Sequence, residues 1–174
     1  TTMPPNSVYY RNPHPPLLPL LLAPLTVLDT EWQYHLFFLG IYLFTVIGAY
    51  MLFGLFLQQR IQFWCTAVWA VCPALQINST NIMWDTAICG EILWSLYFFF
   101  TGLRNSSRRH IIISGIIAGC GAITKMTVIA LYATIFLWSV FKKQHRILLW
   151  WLIPAVIIPG LWVVHNTVVF GTIQ

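Results

Sequence analysis

The chain has little charge. Of its 174 residues four are acidic and nine are lysine or arginine, 7% in all, where a soluble domain carries about 25%. With 59% hydrophobic residues and a mean hydropathy of +0.76, the composition excludes a water-soluble globule and specifies an all-α polytopic membrane protein. Cysteine is scarce too. Cys65, Cys72, Cys89 and Cys120 lie inside apolar segments with no CxxC pair and no histidine at ligand spacing, which favours packing over a metal or disulfide role. There is no glycine-rich phosphate loop, no HExxH, no GxSxG and no heptad repeat. The opening residues also lack the basic region, short apolar core and cleavage site of a signal peptide.

The charges that are present are sorted. Asp29, Glu31, Asp85 and Glu91 fall at one set of alternate breaks in the apolar sequence, while Arg60, Arg104, Arg108, Arg109, Lys142, Lys143 and Arg146 fall at the other. A bilayer imposes such sorting, with the basic loops cytosolic. The net charge of +5 is therefore topogenic, and its short clusters form no basic face for nucleic acid. The expected partners are membrane lipids.

Residues 1–33 are expected to form an outer-side loop with an interfacial helix, and residues 34–174 the transmembrane region. The apolar run after His14 is short and interrupted by prolines, so it suits the interface, with Pro15 and Pro16 opening its helix. Spans are predicted at 34–57, 61–76, 84–103 and 147–170. Residues 111–141 would reach ~46 Å as one helix, far beyond ~30 Å of hydrocarbon, and would put Lys142 and Lys143 on the wrong side. Two short helices meeting near Thr124 and Lys125 solve both problems, giving about six membrane segments in all. The apex of that hairpin is then drawn below the outer surface.

Lys125, in an apolar hairpin, either snorkels to the interface or faces a cavity as an anion site, and the sunken apex favours the cavity. Asp85 either complements a helix start or takes a partner, whereas Glu91, deeper in the same helix, suits a buried, paired group. Asp29 and Glu31 suit a solvated turn. Tyr9, Tyr10, Arg11 and His14 cluster before the interfacial helix, either as interface anchors or as polar partners for phosphate or sugar. Gly115, Gly119 and Gly121 fit close helix packing. The sequons at Asn78 and Asn105 are poor evidence of glycosylation, one being close to the membrane and the other cytosolic.

The order of these motifs resembles polytopic GT-C glycosyltransferases of the dolichyl-phosphate-mannose protein mannosyltransferase type (glycosyltransferase family 39-like), including the bacterial aminoarabinose transferases of lipid A. The resemblance rests on His14-Pro15-Pro16-Leu17, on Asp85-Thr86 opening a helix, and on Ser114-Gly115 through Gly119-Cys120-Gly121-Ala122-Ile123-Thr124-Lys125. Asn166 and Phe170-Gly171 extend it. It implies transfer of a sugar from a polyprenyl-phosphate donor to a lipid, glycan or protein acceptor at the outer or lumenal face. His14 would stand at the cavity rim, with Lys125, Asp85, Arg11 and Tyr10 toward the donor phosphate or cavity. The resemblance leaves the catalytic residue unassigned: the family's base is an acid in an outer loop ahead of Thr1, so the chain is expected to be an inactive piece of a longer enzyme. It implies no certain cofactor, although a divalent metal serves some relatives. The rival reading is a transport or structural subunit with a buried Lys125–Asp85 pair.

Overall fold

The computed structural model describes residues 17–28, 31–80 and 83–170, and among them there are helices and turns but no strands. A short helix α1 (Leu17–Leu22) continues into a 3₁₀ turn (Ala23–Leu28). There follow α2 (Glu31–Gly54), α3 (Gln59–Ala70), α4 (Pro73–Thr80), α5 (Trp84–Arg104), α6 (Arg108–Ala122), a 3₁₀ turn (Met126–Val128), α7 (Ile129–Phe141) and α8 (His145–Phe170). Among the described residues three helices are long and apolar enough to cross a membrane: Glu31–Gly54, Trp84–Arg104 and His145–Val168. The protein is all-α, as its composition requires.

The block at 111–141 is two helices. α6 has 15 residues and α7 has 13, ~22 and ~20 Å long, and they meet at a turn through Ile123, Thr124 and Lys125. The span expected at 61–76 is instead broken into α3, of 12 residues, and α4, of 8, which at ~18 and ~12 Å are each too short to cross alone. Pro73 supplies the physical reason, because it has no N–H to continue the α3 ladder. The carbonyl of Ala70, left at the break, accepts from the Tyr42 hydroxyl at 3.0 Å and the Gln76 amide at 2.8 Å. Of the six expected segments, the three long ones and both short arms of the hairpin are present as helices, and the one at 61–76 is broken in two. α2 also begins three residues earlier than expected, so Glu31 occupies a helix's first turn, where a carboxylate complements the dipole.

Small residues let the helices approach closely. On α6, a Cβ at Gly115 would fall on the backbone carbonyl of Trp151 and 2.7 Å from Pro154, and one at Gly119 would stand 3.0 Å from Ile158. α6 therefore packs almost backbone to backbone on α8. Gly90 of α5 sits equally tightly beneath Thr45 of α2, and Trp94 lies over Gly48 while donating to the Phe44 carbonyl at 3.0 Å. In the buried middle, Ser95 and Ser114 exchange hydrogen bonds with each other's carbonyls at 3.0 and 2.6 Å, and the Trp151 indole donates to Ser114 Oγ at 3.0 Å. These bonds join α5, α6 and α8 in the region where water is scarcest.

α8 runs through two prolines. Pro159 cannot donate to the Ala155 carbonyl, and the Tyr132 hydroxyl of α7 takes its place at 2.6 Å. A neighbouring helix thus repairs the interrupted ladder.

The charge sorting has a counterpart in space. Phe56, after α2, meets Phe100 at 5.2 Å, Phe100 meets Trp138 of α7, and Arg108 lies 5.4 Å over the Trp150 ring. The segments bearing Arg60, Arg104 to Arg109 and Lys142 to Arg146 therefore gather at one end of the bundle. Two of those loops close with the same device. Ser106 (φ 50°) and Lys143 (φ 55°) adopt the left-handed conformation, and Ser107 N–H to Gly102 and Gln144 N–H to Ser139 complete paired helix-terminating bonds at 2.9 and 2.8 Å.

Gly115→Ala places its methyl group against the Trp151 backbone, which cannot swing away, and is expected to cost about 1–3 kcal/mol of stability. Gly160 has nothing within 4 Å of a Cβ, so Gly160→Ala should hold the wild-type midpoint. Thermal unfolding in detergent distinguishes the two.

Candidate functional site

At the end of the bundle opposite the basic loops, α6 stops at Ala122. The chain turns there because the Gly121 carbonyl accepts from both Thr124 N–H at 3.0 Å and Lys125 N–H at 2.9 Å. Lys125 itself is extended (φ −159°, ψ 137°) and opens the following 3₁₀ turn. Its side chain leaves the apex toward α5.

There it forms an ion pair with Asp85 Oδ1. Asp85 lies in the first turn of α5, but the cap position is Met83 and no side chain caps that helix. The carboxylate is therefore committed to Lys125, while the helix N-terminus favours its charge. The pair is half-exposed, at 37% for the lysine side chain and 44% for the aspartate. A lysine ammonium has three donors, so engagement with Asp85 leaves capacity for a further anion.

One level deeper, Glu91 of α5 faces the same turn. Thr124, 2% exposed, donates to Glu91 Oε1 at 2.8 Å and lies 3.0 Å from the Cys120 carbonyl. Glu91 Oε2 is buried, has no hydrogen-bond partner among the described residues, and lies 3.4 Å from the place a Cβ on Gly121 would occupy. The expected buried pair at Glu91 is thus with a hydroxyl, and its partner stands 33 residues away in sequence. The one sequence cue was that Thr124 adjoins the lysine.

The short helix α1 joins the apex. Leu17 N–H of α1 donates to the Ile123 carbonyl at 3.2 Å, which brings the segment following His14-Pro15-Pro16 to the Lys125 turn. His14, Arg11 and Tyr10 themselves lie outside the described residues, as do Tyr9, Asp29 and Gly171. Glu31 is exposed and lies 4.0 Å from His35, on the same helix face. Asn166 is buried in α8, and its Oδ1 has no partner among the described residues.

The cysteines are unpaired, and among the described residues no three His, Cys, Asp or Glu side chains converge as a metal cage. The site combines a half-exposed cation at one bundle end, a carboxylate beside it and a hydrogen-bonded acid beneath.

Because the Asp85–Lys125 pair is half-exposed, it contributes little to folding, about 0–1 kcal/mol. Asp85→Ala should therefore leave the unfolding midpoint in detergent within a few degrees of wild type; a large drop would mark the pair as structural.

A family model described as dolichyl-phosphate-mannose-protein mannosyltransferase matches residues 13–168. No curated protein and no solved structure matches the chain.

Proposed function

The chain belongs to the dolichyl-phosphate-mannose-protein mannosyltransferase family, membrane glycosyltransferases of the GT-C type that use polyprenyl-phosphate sugar donors, and from that premise we propose that Lys125 binds the donor phosphate. The observation that carries this reading is the half-exposed Lys125–Asp85 pair on the sunken turn between α6 and α7. The bundle end bearing it faces the outer or lumenal side, and the basic loops face the cytosol, in keeping with the positive-inside rule.

In the transfer, an acceptor hydroxyl attacks the anomeric carbon and the bond from that carbon to the phosphate oxygen breaks. The leaving polyprenyl phosphate gains negative charge as it departs. An ammonium fixed at that oxygen stabilises the departing charge more than it stabilises the intact donor, which is the requirement for catalysis. Asp85 holds the Lys125 side chain toward α5 in the meantime, and is placed to meet a sugar hydroxyl. The acceptor's proton goes to a carboxylate base, which the family resemblance places ahead of Thr1. The family resemblance would put His14 at the rim and Arg11 and Tyr10 toward the donor phosphate or cavity, a reading supported by the Leu17 to Ile123 bond, which docks the helix that follows them on the apex. The acceptor is a lipid, a glycan or a protein.

Two measurements check this. Lys125→Ala and Asp85→Ala, in the complete chain encoded by the gene, should abolish sugar transfer from a polyprenyl-phosphate donor while retaining the folded protein; wild-type transfer in both would refute the assignment. For sidedness, Cys65, Cys72, Cys89 and Cys120 are replaced and a single cysteine is placed at exposed Met126 or exposed Asn105. An impermeant thiol reagent outside intact cells or sealed vesicles of known orientation should label Met126→Cys and spare Asn105→Cys; the reverse pattern would invert the topology.

A further inference from the structure

Asp85 and Glu91 stand on one helix, six positions or ~9 Å apart along its axis. Both reach the same turn of the chain. Asp85 takes the Lys125 ammonium, and Glu91 takes the Thr124 hydroxyl of the residue just before it while lying against Gly121, the residue whose carbonyl closes the turn. We propose that Glu91 is a positioning residue for the donor-phosphate site, fixing the backbone from which Lys125 projects. The proposal rests on the reading of Lys125 as the phosphate ligand.

The physical case begins with where the turn would otherwise go. Met126 and Thr127 beside it are exposed, and among the described residues the turn is tied to its neighbours by the Lys125–Asp85 pair, the Leu17 to Ile123 bond and the side chain of Thr124. Thr124 is the buried anchor of this segment, and its hydroxyl bridges to α5 through Glu91 and back to α6 through the Cys120 carbonyl. A threonine hydroxyl carries one proton, so two acceptors share it. A glutamine at position 91 could donate its amide to Thr124 Oγ1 and leave that proton to Cys120, whereas leucine would leave the hydroxyl without its α5 partner. The interaction is therefore a matter of hydrogen-bond geometry more than of charge at position 91. Glu91 touches no substrate in this scheme; it acts through Thr124.

The test separates positioning from simple loss of protein. A fold defect lowers the active fraction and so the maximal rate, leaving both Michaelis constants where they were. A misplaced Lys125 weakens the donor specifically, since small displacements of a binding group carry large penalties. Glu91→Leu and Thr124→Val, each in the complete chain reconstituted in lipid, are expected to raise the donor KM about tenfold with the acceptor KM unchanged. The double variant should be no worse than either single one, because both remove one contact. Glu91→Gln should stay within about twofold of wild type. A wild-type donor KM in both Thr124→Val and Glu91→Leu would overturn the proposal, as would Glu91→Gln behaving like Glu91→Leu. If Glu91→Leu fails to fold, Thr124→Val, nearly isosteric, decides alone. Lys125→Ala run alongside keeps the two readings apart: full transfer there overturns the role of Lys125, while loss of transfer there with an unchanged donor KM in Thr124→Val overturns only the role of Glu91.

Discussion

Hydrocarbon offers no hydrogen bonds, so every backbone group that this chain releases inside the membrane has to be met by the protein itself. Much of the architecture follows from that one constraint. Pro159 frees the Ala155 carbonyl, and Tyr132 reaches across from α7 to take it. Pro73 ends α3, and Tyr42 and Gln76 converge on Ala70. The hydroxyls and the amide are placed opposite the breaks, so that the prolines can shape the helices without leaving polar atoms stranded.

The same constraint explains why irregular backbone occurs where it does. The turn from Ile123 to Lys125 is tolerable because it lies at the bundle end, with its N–H groups returned to Cys120 and Gly121 and the Ile123 carbonyl given to Leu17. Shortness of α6 and α7 brings that turn below the level a full span would reach. A lysine on such an apex is neither buried in lipid nor free in bulk water. Lys125 is half-exposed and still held by Asp85, which is what the proposed donor-phosphate role asks of it.

A good part of this was legible in the sequence, for reasons that can be given residue by residue. The excess length of 111–141 and the bases that follow it demanded a hairpin, and the structure has one. Gly115 and Gly119, spaced by one turn, pointed to close packing and lie on the α8 backbone. The charges of Asp85 and Lys125 put them at one end, although the pair joins residues 40 apart, and only the packing of α6 on α5 makes them touch. What the sequence concealed were features with no distinctive local signal. Pro73 lies between two apolar halves, and hydropathy does not register a break between them. Thr124 was concealed in a different way: as a hydroxyl among apolar residues it is indistinguishable from any helix-packing threonine until Glu91 is placed opposite it.

The serine and tryptophan contacts in the middle of the bundle have a consequence at its end. Hydrophobic surfaces of two helices can slide past each other by a turn, 5.4 Å, at modest cost, but Ser95 and Ser114 can exchange bonds in one axial alignment only. That alignment works as a depth stop. From Ser114 to the end of α6 at Ala122 the helix runs for roughly 12 Å, so two hydroxyl groups far from the Lys125 turn contribute to the height at which it stands relative to α5.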